Sequence, residues 1–331
     1  MKLVSKILVF ALTILLTPLV AGAATCTQTG FFRDSINMTA AMINPTGTVS
    51  GAVDATGCNI GVYFDNGKGK VDKAEIYGAN YFGVLVNGDA SDVSVDITDS
   101  SIHHIGESPL NGSQHGVAIY YRAFFLGGSA TGTMSGNTIY HYQKGGIVVN
   151  GQGTSAVITD NTVTGEGPVS YIAQNGIQVG YGANGSVMRN TVTGHSYTGS
   201  STASGGIIVV GGAGYGTCPD TLDCPYTVGT RIVGNILTGN DVGIWLSNLA
   251  ADGSAPATAT NIKAVNNTIS NCCLTNGYPY QAGVADQGNN DKIINNKISG
   301  NGYDPVLYPG TAFAVDADVS FTNRPKVHAN K

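Results

Sequence analysis

Charge is scarce in this chain: only 11% of its 331 residues are Asp, Glu, Lys or Arg, against about 25% in typical globular domains. That excludes a charged disordered tail and a helix-rich bundle. Past the first two dozen residues no apolar run approaches the roughly 18 residues of a membrane span, so a polytopic membrane protein is excluded as well. Glycine is plentiful, 47 residues, but it lacks the strict three-residue period of collagen. Basic residues are outnumbered, 16 to 21, for a formal charge of −5. This argues against nucleic acid, whose phosphates demand a basic patch, and against an anionic membrane surface. What remains is 16 Tyr with many Thr, Val, Asn and Gly, the residues of pleated surfaces and tight turns. The composition reads as all-β and dense in turns.

The first 23 residues have the layout of a secretory signal peptide. Lys2 and Lys6 precede an apolar stretch from Ile7 to Val20, and Ala21-Gly22-Ala23 supplies small residues for cleavage. The mature protein is expected to begin near Ala24, to be secreted, and to have no membrane contact afterwards. A lipid anchor would need a small residue directly before the first cysteine, and Thr25 stands there. The six cysteines (Cys26, Cys58, Cys218, Cys224, Cys272, Cys273) all fall in the mature part, and an even count in an exported protein favours disulfides. Proximity pairs Cys26 with Cys58 and Cys218 with Cys224, while the partners of the adjacent Cys272 and Cys273 stay open. Zinc is the competing reading, but no His residues stand at ligand spacing beside the cysteine pairs.

Internal repetition organises the rest. A Gly-apolar-any-apolar element recurs as GVYF at Gly61, GVLV at Gly83, GVAI at Gly116, GIVV at Gly146, GIQV at Gly176, GIIV at Gly206, GIWL at Gly243 and GVAD at Gly283. Successive spacings are 22, 33, 30, 30, 30, 37 and 40 residues. A second series alternates with it, as in NTIYH around Ile139, NTVTG around Val163 and NTISN around Ile269, and a weaker apolar segment precedes that series. Three short strands per roughly 30-residue period fit a solenoid whose coils stack equivalent strands in parallel. The recurring Asn137, Asn161, Asn190, Asn235, Asn267 and Asn296 mark one corner, where Asn tolerates left-handed geometry and its amide reaches the Asn one coil away.

Segments such as SGNTIYHYQKGGIVVNG and ITDNTVTGEGP resemble the repeats of right-handed parallel β-helix proteins of the pectin-lyase-like superfamily, from about Gly51 to Gly302. The resemblance implies an all-β solenoid of about eight or nine coils over residues 51–303, with an N-terminal cap over 24–50 and a C-terminal cap or tail over 304–331. Within the N-terminal cap, Phe31 to Ile43 is expected as a short helix covering the open sheet edge.

Stacking turns equal repeat position into spatial adjacency. A polar column precedes the glycines (Gln114, Lys144, Gln174, Ser204, Asp241, Gln281) and a mixed one follows (Ala118, Val148, Gln178, Ile208, Trp245, Ala285). Extended geometry predicts that both columns, and the glycine strip between them, face outward as a shallow groove. A saccharide chain is its natural ligand. Beside it His115, Tyr120, Tyr121, Arg122 and Lys144 supply a neutraliser, a base and a proton donor, the set needed to abstract a proton beside a sugar carboxylate and expel the glycosidic oxygen. Gln114, Gln174, Gln178, His141 and Trp245 are the expected substrate contacts, with His104 and His141 neighbours on adjacent coils. Hydrolysis would need two facing carboxylates, for which Asp99, Glu107, Asp160 and Glu166 are candidates.

The adjacent Asp-Asp pair and Gly-His-Gly element of pectin-hydrolysing relatives are missing, as is the Asp-Pro-His-Asp element of alginate epimerases. Asp89, Asp92, Asp96 and Asp99 are spaced by three and four residues, a mismatch to a dedicated Ca²⁺ loop, so no metal or cofactor is assigned. Two long excursions, Gly216 to Gly229 and Leu249 to Thr260, are candidate walls of a binding site. Two functions follow: an exported polysaccharide-processing enzyme, a lyase or failing that a glycoside hydrolase, or a non-catalytic solenoid binding carbohydrate through Val148, Ile208 and Trp245.

Overall fold

A computed structural model shows a parallel β-helix, and describes residues 25–331 apart from 126, 217–223, 272–279, 301–311 and 318–321. The chain enters through β1 (Thr27–Arg33) and β2 (Ile36–Ile43), followed by β3 (Thr48–Asp54), β4 (Ile60–Phe64) and the long β5 (Gly67–Tyr77). From there each coil has three strands. The first of each coil are β6 (Phe82–Asn87), β9 (Val117–Arg122), β12 (Gly145–Asn150), β15 (Asn175–Gly180), β18 (Gly205–Gly211), β21 (Val242–Asn248) and β24 (Gln281–Asp286). The second are β7 (Val93–Thr98), β10 (Ala130–Ser135), β13 (Thr154–Thr159), β16 (Asn184–Met188), β19 (Arg231–Val233), β22 (Lys263–Val265) and β25 (Lys292–Ile294). The third are β8 (Ser101–Ile105), β11 (Thr138–Tyr142), β14 (Thr162–Thr164), β17 (Thr191–Thr193), β20 (Ile236–Thr238), β23 (Thr268–Ser270) and β26 (Lys297–Ser299). β27 (Ala312–Asp316) and β28 (Lys326–His328) extend the stack at its C-terminal end.

Three apolar files run up the interior. Ile119, Ile147, Ile177, Ile207, Ile244 and Val284 belong to the first strands, Met134, Ile158, Val187, Ile232 and Ile293 to the second, and Ile102, Ile139, Val163, Val192, Leu237 and Ile269 to the third; all are fully buried. Each contributes about 1.5–3 kcal/mol of transfer free energy, and each coil also covers the faces of the two beside it. The asparagine corner forms as the repeats imply. From Asn137 to Asn267, each Nδ2 donates to the Oδ1 of the Asn one coil on, at 2.9–3.0 Å, and Asn296 continues to Asn330. The left-handed residue, however, is the one before the Asn: Gly136, Asp160, Arg189, Gly234, Asn266 and Asn295 have φ between 54° and 69°. The Asn itself is outside the left-handed region, and its amide runs along the stack.

Two expectations are corrected. Phe31 to Ile43 is not a helix: β1 and β2 form an antiparallel hairpin, and β2 pairs in parallel with β4, so the N-terminal edge is closed by strand pairing. Cys26–Cys58 ties the start of this hairpin to the turn before β4. The glycine strip does not face outward either. A Cβ on Gly176 would lie 2.5 Å from the Gly206 carbonyl oxygen and 2.5 Å from Val192 Cγ1, so these glycines turn inward where the first strand begins and let the coils close. At β9 the repeat slips by two residues: Ala118, not Gly116, aligns with Gly146, because Ile119 pairs with Ile147 and Tyr120 with Val148.

Candidate functional site

That register sets the outer face of the first sheet. Its central file runs Leu85, Tyr120, Val148, Gln178, Ile208, Trp245 and Ala285, one residue per coil. Over the first coils the face is covered by the hairpin: Phe31 stacks on Tyr63 with centroids 6.3 Å apart, and the Arg33 guanidinium sits 5.8 Å above the Phe82 ring. Beyond the hairpin the file lies at the bottom of a cleft of about 470 Å³. Tyr120, Val148, Gln178, Ile208 and Trp245 make its floor. Gln114, His115 and Lys144 stand on one side, Asn150, Tyr181, Tyr215 and Ser247 on the other, and Arg33 closes one end.

Polar groups in the cleft are held by neighbours. Gln178 Nε2 donates to Asn150 Oδ1 at 2.9 Å, and Trp245 Nε1 donates to Gln287 Oε1 at 3.1 Å, which fixes the indole plane. His115 stacks on Tyr81 with centroids 3.9 Å apart, and its Nε2 lies 2.7 Å from Glu107 Oε1. A carboxylate only accepts, so Nε2 carries a proton in this bond. Lys144 Nζ donates to the Ala173 carbonyl at 3.0 Å, and burial, with no carboxylate to offset it, pulls its ammonium down to about 8.

Of the expected site residues, His115, Lys144, Tyr120, Gln114, Gln178 and Trp245 therefore converge in one cleft. Tyr121 does not: one residue along the strand from Tyr120, it points into the core and donates to the Val95 carbonyl at 2.7 Å. Arg122 is buried at the strand end, where it bonds Asn87 and Asp89 and lies between the Phe31 and Phe124 rings. Its charge is neutralised there and does not reach the cleft. Gln174 is fully buried and pins a loop, accepting from Glu166 N and donating to the Tyr142 carbonyl. Asp241 acts alike, accepting from the amides of Tyr197 and Ser204. In the polar column Gln174 and Asp241 are thus loop anchors, while Gln114 and Lys144 reach the cleft. His141 sits on another face, 4.3 Å from His104 by ring centroids as the repeats predict, with Glu166 at 3.1 Å from its Nδ1.

No Asp or Glu lines the cleft among the described residues. Asp160 is paired with Arg189 and Glu166 with His141, so the hydrolytic candidates do not face one another across it. Asp89, Asp92 and Asp96 each accept from the next coil, on Phe124 N, Ser129 Oγ and Thr133 N. Of the excursions, Tyr215 at the edge of the first reaches the cleft, whereas Leu249–Thr260 packs under Asn289, which donates to the Pro256 carbonyl. Cys224 is disulfide-bonded; Cys218, Cys272 and Cys273 lie outside the described residues, as do residues 1–24, where a signal peptide is expected. Among the described residues no helix is long and apolar enough to cross a membrane.

The carboxyl displaced furthest is far from the cleft. Asp286 and Asp291 share the interior of the last coils; burial raises both, and at Asp291 repulsion from Asp286 adds to it and lifts the carboxyl to about 8, whereas hydrogen bonds from Gly288 N, Thr322 and Asp291 partly offset the rise at Asp286. A carboxyl raised on folding stabilises fully below its unfolded value near 3.9, and this contribution is lost as pH climbs through the folded value. The melting temperature is therefore expected to fall by several degrees between about pH 4 and about pH 9, and Asp291→Asn to flatten that dependence. A wild-type profile rising over this range would contradict the shared burial.

Two solved structures show partial similarity. DFA-IIIase from Arthrobacter chlorophenolicus A6 in complex with GF2 aligns with a TM-score of 0.37 and 13% identity, over 86% of this chain and 70% of that one. The same protein without its lid gives 0.36 and 11%, over 81% and 66%. No curated protein matches the sequence. The family described as right handed beta helix region matches residues 43–217, more than half of the chain. With the stacked parallel coils and interior Asn file, this makes the chain a member of the right-handed β-helix family.

Proposed function

We propose that the cleft holds a stretch of carbohydrate chain lying along the helix axis, and that Lys144 is the group in it equipped to move a proton. One observation carries this reading: apolar and amide side chains, with a tyrosine and the single tryptophan, follow one another along the floor at the coil spacing. Sugar rings present apolar C–H faces edged with hydroxyls, so such a floor stacks rings and bonds their rims. With no carboxylate pair in the cleft, elimination on a uronate suits its groups better than hydrolysis. Neutral Lys144 takes the proton beside the sugar carboxylate, and that electron pair forms the new carbon–carbon double bond as the glycosidic C–O bond breaks. The leaving oxygen is protonated by Tyr120 or water, and Arg33 faces the sugar carboxylate. Export to an extracellular polysaccharide fits the signal segment and the disulfide at Cys26–Cys58.

The test is to incubate the protein with a panel of uronate polymers and follow the ultraviolet absorption of the conjugated product, while the Trp245 fluorescence reports binding of oligosaccharides. Trp245→Ala removes the only tryptophan, so its affinity is read by isothermal titration calorimetry beside wild type, and it is expected to bind oligosaccharides about tenfold or more weakly, as loss of an aromatic anchor in a desolvated site does. Unchanged affinity in that variant would remove the cleft as the binding site. Binding without product on every acidic polymer would leave a carbohydrate-binding solenoid whose Lys144 serves only to tie down the Ala173 carbonyl.

A further inference from the structure

Only 16 residues of this chain are Lys or Arg, yet four of them stand in one file on a different face from the cleft. Arg231, Lys263, Lys292 and Lys326 occupy equivalent positions of β19, β22, β25 and β28 and pair in register from coil to coil. In the preceding coils the same file holds Thr133, Val157 and Ser186, so the run of cations begins at Arg231. The residue after each of the first three (Ile232, Ala264, Ile293) is fully buried, so the cations project outward. At a coil rise of about 4.8 Å, four charges span about 14 Å.

Like charges directly opposite one another on neighbouring strands are destabilising. Here four are stacked, and none has an ion-pair partner among the described residues. Among the described residues no acid pairs with these four to offset that repulsion, although acids outnumber bases in the chain. Beside the file, Asn261 and Asn290 sit in left-handed turns with φ of 55° and 59°, and Asn290 Nδ2 donates to Asn261 Oδ1 at 2.6 Å. These amides, the four cations and the side-chain-free Gly229 line a groove of about 370 Å³.

We infer that this groove docks a linear anionic polysaccharide, a polyuronate, at a site separate from the cleft. One cation per coil matches a polymer carrying one carboxylate per sugar ring, and the Asn amides can pair its hydroxyls. Duplex DNA carries a charge about every 1.7 Å of axis, and single strands are held by stacking on aromatic rings, of which this groove has none. A bilayer meets a flat patch or an apolar helix face, not a recessed single file.

The test is affinity electrophoresis of the whole protein through gels containing polygalacturonate, at low and high ionic strength. Wild type and Trp245→Ala are both expected to be retarded at low salt and released by high salt. The double variant Lys263→Gln/Lys292→Gln should lose affinity about tenfold or more, with its circular dichroism and its oligosaccharide-induced Trp245 fluorescence change intact. Lys263→Arg/Lys292→Arg should retain binding, which guards against a folding artefact. Equal retardation of the glutamine variant, no retardation of wild type, or tighter binding to single-stranded DNA or phosphatidylserine vesicles overturns the inference. Because the cleft is read through Trp245 and the groove through Lys263 and Lys292, failure of one leaves the other standing.

Discussion

Asn190→Ala is expected to lower unfolding free energy by about 3–5 kcal/mol, a large share of the 5–15 kcal/mol typical of a native protein. Asn190 is fully buried. Its Oδ1 accepts from the backbone N and the Nδ2 of Asn161, at 3.0 and 2.9 Å, and its own Nδ2 donates to the Ile158 carbonyl at 3.0 Å and to Asn235 Oδ1. Truncation leaves the Asn161 amide and the Ile158 carbonyl without these partners inside the coil. Each buried orphan costs about 1–3 kcal/mol, and the cavity adds to it. Urea denaturation followed by circular dichroism measures the loss. Because neighbouring rungs share partners, Asn161→Ala together with Asn190→Ala should cost less than the sum of the two. A loss below about 1 kcal/mol for the single variant would mean that water fills the gap and that the file adds little.

Lys144→Met is expected to reduce turnover of a uronate polymer by about 10²- to 10⁴-fold, the usual contribution of a positioned proton acceptor. The sign with pH follows from its role. A base works unprotonated, so wild-type kcat/KM should rise with pH and level off above about 8, where burial has placed the ammonium. Lys144→Arg discriminates between a base and a mere positive charge, since guanidinium does not deprotonate in proteins. If Lys144 is the base, the arginine variant is as slow as the methionine variant; if arginine restores the rate, Lys144 neutralises the substrate carboxylate and the base lies elsewhere. His115→Ala does not substitute for this test, because His115 also packs on Tyr81 and holds Glu107.

Much of the fold was legible because a solenoid repeats its constraints. An interior Ile or Val must recur once per coil, and an Asn that bonds to the next Asn must keep its distance from that Ile. Both periodicities therefore survive in the linear order, as at Asn161-Thr162-Val163 and Asn190-Thr191-Val192. The glycines were equally visible, but their meaning was not. Strand alternation predicts that Gly176 faces away from Ile177, yet the chain is turning a corner there and the two are buried together. Corner geometry depends on the coils above and below, which single-strand alternation ignores.

The candidate site was read in part for the same reason. Lys144, Gln178 and Trp245 lie in repeats of regular register, and they meet in the cleft. Strand alternation turns Tyr121 into the core on the same side as Ile119, and the two-residue slip at β9, which leaves the faces unchanged, brings Arg122 opposite Asn150, where it is buried against Asp89. Arg33 could not be read from the repeats, since it arrives from a hairpin outside them. The cation file was written in the sequence too, but only strand register shows that Arg231, Lys263, Lys292 and Lys326 share one line.

Composition and period by themselves determined an all-β coil with a dry interior and an Asn corner, since burial and amide pairing must be satisfied anew at every turn. Only the tertiary structure decided which outward file is open, because the hairpin covers the first coils and leaves the stretch from Tyr120 to Trp245 lining a cleft. Covering is a property of segments distant in the chain, and no local pattern records where they come to rest.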